Sequence, residues 1–269
     1  MGVDEILRIV DDKKEEIRKA DPLPKGTIQS LDEDYVLRYV HETTAIEGNT
    51  LTIGETQVVL EDGLVIAGKT MREHLEVLNI RKALQWLERK INSQEPITQN
   101  TILDLHGIIL QGIGEEGEAG FYRRRAVRIR GSQHIPPNWV KVPELMDKFS
   151  DWVSTDSGDE HPIIFAAKAH VKLTGIHPFV DGNKRTGRLL TSLLLMRADY
   201  PPAMFTSANR LEYITALEDG YAGNVDPFVV IVGKAVEYME DRYLEMINQE
   251  RESQEILKER NSHEMDFDR

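Results

Sequence analysis

The sequence predicts an all-α fold carrying one small β-hairpin flap. Two observations lead there. Apolar residues recur at intervals of three and four through most of the chain, the spacing that lines one face of a helix. Strand-like alternation is clear in one place only, where residues 126–130 switch between apolar and basic side chains before Gly131. Two prolines, Pro136 and Pro137, follow it and precede Val140 and Val142. A lone hairpin needs helices to support it, so this segment reads as a flap and not a sheet core.

Taken in order, residues 4–20 form an amphipathic helix with Ile6, Leu7, Val10 and Ile17 on one side, stopped by the proline-containing stretch 21–26. Ser30 or Asp32 is suited to cap a second helix bearing Tyr35, Val36, Tyr39, Val40 and Ile46, which Gly48 and Asn49 end through a left-handed turn. Residues 52–67 are helical as far as Gly63. Residues 71–91 form a long helix with Leu75, Leu78, Ala83, Leu84 and Leu87 at helical spacing. After a linker at 93–98, a helix spans 101–113 and a Gly/Glu-rich loop spans 112–120. Beyond the flap, residues 143–154 present Leu145, Met146, Phe149 and Trp152 on one side, and 156–159 turn. Apolar helical runs at 163–176 and 189–196 flank a short loop, and 210–217 form a short helix. The last helix begins at Asp226-Pro227 and runs through Phe228, Val232, Val236, Met239, Tyr243 and Ile247. The charged tail after Asn248 reads as a solvated helix end or as disorder.

Composition narrows the function classes. A net charge of −13 argues against general nucleic-acid binding, where a basic surface supplies the affinity. The chain has no cysteine, which excludes disulfides and thiolate zinc sites and allows a reducing, cytoplasmic interior. The charged first residues do not read as a signal peptide, and no run approaches the roughly 20 apolar residues of a membrane span. His41, His74, His106, His161, His170 and His263 lack paired ligand spacing.

Chemistry concentrates at residues 177–188, His-Pro-Phe-Val-Asp-Gly-Asn-Lys-Arg-Thr-Gly-Arg, between two helices. Pro178 forces a turn, Gly182 permits unusual backbone conformations, and Asn183 is suited to cap the following helix. That helix start presents free N–H groups and a positive dipole end, and Lys184, Arg185 and Arg188 surround it with cations. Together they make a phosphate site. His177 stands at its rim as a candidate base, and Asp181 as a candidate ligand for a hard cation.

This stretch resembles the signature of the Fic (filamentation) domain family, His-x-Phe-x-Asp/Glu-Gly-Asn-x-Arg-x-x-Arg, with every fixed position matched. Leu105-His106, Gly120-Phe-Tyr-Arg123, His134-Ile-Pro-Pro137, Arg210, Tyr213 and Pro227-Phe228 are similar to other family segments. The resemblance covers roughly residues 97–233. It implies a Fic-type helical bundle at 96–233, preceded by a helical region at 1–95 and followed by a helix and polar tail at 234–269. The implied reaction is transfer of AMP from ATP to a hydroxyl of a target protein, or of the chain itself, with Mg²⁺. His177 would be the base, and Asp181 would hold Mg²⁺. Gly182, Asn183, Lys184, Thr186 and Gly187 would form the nucleotide loop, with the β- and γ-phosphates on Arg185 and Arg188 and adenine near Tyr213. The flap, Val127, Arg128, Ile129, Arg130 and Gly131, would align the target by strand addition. Neither a nucleic acid nor a membrane partner is implied, and a homo-oligomer is left open. Lys184 departs from the Gly common in AMP-transferring members and is similar to the Doc toxins, which phosphorylate their target. A Doc-like kinase and a non-catalytic nucleotide-binding interaction module therefore stand as alternatives.

Upstream, Thr43-Thr-Ala-Ile-Glu47-Gly48-Asn49 resembles the family's inhibitory motif. Thr43 and Glu47 lie four apart on one helix face, and a carboxylate at a helix end gains from an external cation. The resemblance implies a bidentate pair with Arg188 that withholds it from the γ-phosphate. In some similar proteins the same Glu also activates water to remove AMP.

Overall fold

The computed structural model describes residues 1–267 except 21, 94, 116, 155–157 and 159, with side chains as far as Leu257. Apart from Gly158, which takes φ +61°, the turn expected at 156–159 lies outside the described residues, as do parts of the segments 21–26, 93–98 and 112–120. The helices are α1 (Val3–Lys19), α2 (Lys25–Ala45), α3 (Ile53–Glu61), α4 (Met71–Ser93), α5 (Gln99–Ile109), α6 (Val142–Ser154), α7 (Pro162–Ile176), α8 (Asn183–Arg197), α9 (Arg210–Tyr221) and α10 (Asp226–Phe267). None of the described helices is long and apolar enough to cross a membrane.

Local chemistry accounts for several boundaries. At α3, Thr52 Oγ1 accepts from the Glu55 N–H at 3.2 Å, and the Glu55 carboxylate accepts the Thr52 N–H at 2.8 Å, a reciprocal cap. Helix α2 begins at Lys25 behind Pro24, so the expected caps Ser30 and Asp32 fall inside it. Pro24 is extended and cannot continue a helix backwards, and nothing between it and Ser30 breaks one. Gly48 takes φ +103° and turns the chain after α2, as expected. Helix α10 continues through the charged tail to Phe267, because its Glu, Gln, Lys and Arg residues are good helix formers.

Two apolar cores result. Tyr39, Val77, Ile80, Leu105, Leu173 and Leu189 bring α2, α4, α5, α7 and α8 together. Ile6, Val10, Ile163, Phe228, Val232 and Val236 join α1, α7 and α10. The α1–α10 approach is so close that a Cβ on Gly233 would lie 2.4 Å from Ile6 Cγ1. The hairpin of α7 and α8 belongs to both cores, so the loop at its tip is held from both sides.

The expected β-hairpin is not formed: no strand occurs among the described residues. Residues 126–129 lie outside any helix or ladder. One backbone bond, Ser132 N–H to Ile129 O at 3.2 Å, closes a turn through Gly131 at φ +79°. Pro136 and Pro137 on the returning side have no N–H to donate, which removes ladder bonds there.

Candidate functional site

The loop after α7 is built around an uncommon backbone. His177 adopts the left-handed region at φ +51°, rare for a residue with a Cβ. Its N–H donates to Leu173 O at 3.0 Å, and its carbonyl accepts from Arg123 Nε at 2.8 Å. The Arg123 backbone N–H holds Pro178 O at 2.8 Å. Phe179 is buried and stacks on the His106 ring at 3.6 Å. His106 Nδ1 accepts the Gly120 N–H at 3.0 Å, so its Nε2 carries the proton given to Asp181 O, also at 3.0 Å.

Gly182 is the N-cap of α8, and Asn183 is not. Gly182 has φ +78°, and a Cβ there would lie 2.8 Å from Leu110. Asn183 instead ties the loop into a ring: Oδ1 accepts Phe179 N–H at 3.0 Å and Nδ2 donates to Phe179 O at 2.9 Å. The first helical bond of α8 runs from Thr186 N to Gly182 O. The N–H groups of Asn183, Lys184 and Arg185 thus have no backbone acceptor among the described residues and are free to bind an anion at the helix start. Thr186 and Gly187 are buried and shape the helix; a Cβ on Gly187 would crowd the His170 ring at 3.1 Å.

His177 Nδ1 lies 3.2 Å from Thr174 O. A carbonyl only accepts, so Nδ1 carries the proton and Nε2 keeps its lone pair. Burial, aided by the charges of Arg123 and Lys184, brings the ring's pKa down to about 4. The imidazole is therefore neutral near pH 7, as a general base requires.

The signature's three cations are all engaged by acids. Arg188 is fully buried and donates from Nε to Thr43 Oγ1 and from Nη2 to Thr43 O, both at 2.8 Å. Its Nη1 reaches Glu47 Oε1 at 2.7 Å. The expected bidentate pair does not form, because the two Thr43 acceptors occupy Nε and Nη2. The second Glu47 oxygen, Oε2, is held by Lys184 Nζ at 2.9 Å. Burial would push the Glu47 carboxyl up, but Arg188 and Lys184 outweigh it and bring it down to about 2. Arg185, 3% exposed, spans Asp181 Oδ1 at 3.1 Å and Glu76 Oε1 at 3.3 Å.

Asp181 also accepts from Arg72 of α4, which sits 3.1 Å from Glu76. Sequence reasoning missed Arg72 and Glu76; their sole signal was a spacing of four on one helix. Burial opposes ionisation of Asp181, but Arg185, the Gly182 N–H and Arg72 hold its carboxyl below the usual range. No group of three metal-ligating side chains converges among the described residues. The half-exposed Asp181 fits a Mg²⁺ held by one carboxylate and completed by phosphates, once Arg72 yields.

Tyr213 does not reach the loop surface. It is 2% exposed, its hydroxyl pairs with His170 Nε2 at 2.8 Å, and its ring lies 5.8 Å from the Arg188 guanidinium carbon. It backs Arg188, and it lines a small pocket of about 100 Å³ with Phe205, Asn209 and Glu212. In the flap, Val127 and Ile129 are half-buried, while Arg128, Arg130 and Gly131 are exposed.

Known proteins resemble this chain in sequence and fold. Residues 96–195 match the model of the Fic/DOC family. Protein adenylyltransferase Fic of Nematostella vectensis is 36% identical over 245 residues, covering 89% of this chain and 56% of that protein. The corresponding protein of Drosophila willistoni is 38% identical over 208 residues, 77% of this chain and 41% of that one. The chain thus spans about half the length of the curated relatives it matches. Among solved structures, a C. elegans Fic-1 fragment superposes with a TM-score of 0.84 at 34% identity, over 92% of this chain and 73% of that one. With that relative 34% identical and matched over 73% of its length, and with the signature residues brought together around the start of α8, the chain belongs to the Fic/DOC family.

Proposed function

We propose that this chain is a protein adenylyltransferase held in a self-inhibited state. The observation that carries the proposal is the Glu47 carboxylate, shared between Arg188 and Lys184 of α8, next to the loop that presents His177 Nε2. Its substrates are ATP and a protein hydroxyl, on a target or on the chain itself. His177 Nε2 takes the proton of the attacking hydroxyl, and the oxygen attacks the α-phosphorus as pyrophosphate leaves. The N–H groups of Asn183, Lys184 and Arg185 steady the phosphates through the helix start. Arg188 takes the γ-phosphate when Glu47 releases it. Asp181 would hold Mg²⁺, which neutralises charge gathering on the leaving group. Residues 126–131 are the segment along which the target lies. Relatives named protein adenylyltransferase support this reading. The absence of cysteine accords with a cytoplasmic site of action.

A second reading, phosphotransfer as in Doc, rests on Lys184. Its pairing with Glu47 favours a part in the inhibition over a place in the phosphate cradle. Incubation with ATP labelled at the α- or the γ-phosphate separates the readings. Label on protein from the α position means AMP transfer, from the γ position phosphotransfer, and from neither a binding module. The same α-labelled product, chased with wild-type chain and no ATP, tests AMP removal by Glu47-activated water.

A further inference from the structure

Residues 119–143 hold five arginines and one lysine but no Asp or Glu, in a chain of net charge −13. Two of the arginines serve the fold. Arg123 is 3% exposed, and Arg125 pairs with Glu118 at 2.8 Å. Arg124, Arg128 and Arg130 are exposed, and none has an ion-pair partner among the described residues. Unpaired like charges held on one short segment repel one another, and an acidic partner relieves that.

The segment is anchored to the candidate base. Arg123 Nη2 holds Pro137 O at 2.6 Å while its Nε holds the His177 carbonyl. The excursion 124–136 therefore leaves from and returns to a side chain bonded to His177. Beside it runs a groove of about 510 Å³ whose lining includes Phe121, Tyr122, Arg124 and Val180 of the signature loop, and Glu118, whose charge Arg125 neutralises. An adjoining groove of about 350 Å³ adds Trp139 and Val140. Phe121 is 58% and Val140 65% exposed, so the two grooves offer apolar side chains to a partner. Residues 126–129 have backbone groups free of any ladder, suited to an added strand.

We propose that this surface docks an extended acidic segment of the target protein, with carboxylates on Arg124, Arg128 and Arg130 and an apolar side chain in the groove at Phe121. The purpose assigned to it rests on the transferase reading: the docked segment carries its hydroxyl to His177.

Fluorescence anisotropy with the wild-type chain tests it. The probes are a labelled Thr peptide flanked by Asp, Glu and one Leu, its Asn/Gln counterpart, its Lys counterpart, and a single-stranded oligothymidylate of equal charge to the acidic peptide. The acidic peptide should bind roughly ten-fold tighter than the neutral one at low salt, with the ratio shrinking as salt is added. The triple variant Arg124→Glu, Arg128→Glu, Arg130→Glu, with circular dichroism and melting temperature matching wild type to show that it is folded, should reverse the order and prefer the Lys peptide. Equal affinities, no binding of any peptide, an order unchanged by charge reversal, or tighter binding of the oligothymidylate would each overturn the proposal. Failure of the transferase reading is distinguishable. With Glu47→Gly and α-labelled ATP, acidic-peptide binding without label sinks that reading and leaves docking intact; labelling without acidic preference does the reverse.

Discussion

Glu47→Gly removes the one carboxylate that Arg188 and Lys184 share. Those two cations, against the effect of burial, hold the carboxyl at about 2 where 4.5 is ordinary. That keeps Glu47 ionised at neutral pH and so held by both cations. A γ-phosphate must displace this carboxylate to reach Arg188, so removing it should raise α-label incorporation by roughly ten-fold or more, productive alignment being worth orders of magnitude in rate. The same change leaves Arg188, fully buried, with Thr43 alone on two of its nitrogens. Stripping one partner from a buried ion pair costs roughly 3–5 kcal/mol, which water entering at the Glu47 position, 20% exposed, reduces to about 2 kcal/mol. The nucleotide-free variant should therefore melt roughly 4–8 °C lower, and ATP should restore much of the loss. The assay compares wild type, Glu47→Gly and Glu47→Gly with Arg188→Ala at one Mg²⁺–ATP concentration, with melting curves in parallel. A Glu47→Gly protein that binds ATP yet labels no faster than wild type refutes the inhibitory reading. A double variant as active as the single one shows that freed Arg188 is not the cause.

His177→Ala should lower α-label transfer by roughly 10²–10⁴-fold while calorimetry finds ATP affinity unchanged; full activity removes His177 as the base. Burial lowers His177 and His106 to about 4 and His170 to about 3, against 6.5 when unfolded. The native state therefore binds fewer protons below that value, and stability present above about pH 6.5 should be lost progressively as pH falls toward about 4. Melting temperatures level from neutral pH down to 4 would contradict this. Arg72→Ala frees one Asp181 oxygen and should lower the Mg²⁺ concentration for half-maximal labelling, while Asp181→Ala should raise it steeply and EDTA should abolish wild-type labelling. Labelling that survives EDTA rules out the metal role of Asp181. Lys184→Gly loosens Glu47 and should raise α-labelling by less than Glu47→Gly does; loss of γ-label would mark phosphotransfer, and no change in either label would leave the Lys184–Glu47 pair without weight.

Helix existence was legible in the sequence because burial on one face imposes a period that the residues must repeat. Helices α4, α7 and α10 appear where that spacing of apolar side chains requires them. The signature loop was legible for a related reason: Gly182 and Gly187 occupy positions where a Cβ would collide with Leu110 and the His170 ring, so the residue types themselves carry the constraint. Capping was less legible. Ser30, Asp32 and Asn183 all have the right side chains, yet a cap depends on where the backbone leaves the helix, and Pro24 and Gly182 set that instead. The flap failed as a hairpin because alternation in one strand says nothing about whether its partner can donate, and Pro136 and Pro137 cannot. What the tertiary structure alone decided was the pairing of charges across long separations. Arg188 and Glu47 could be matched by resemblance, but Lys184 joining Glu47 depends on the end of α2 reaching the start of α8, and Arg72 and Glu76 closing on Asp181 and Arg185 depend on α4 packing there. A charged side chain carries no record of its partner in its own neighbourhood, since Coulomb attraction acts between whatever surfaces the packing of apolar faces brings within a few ångströms.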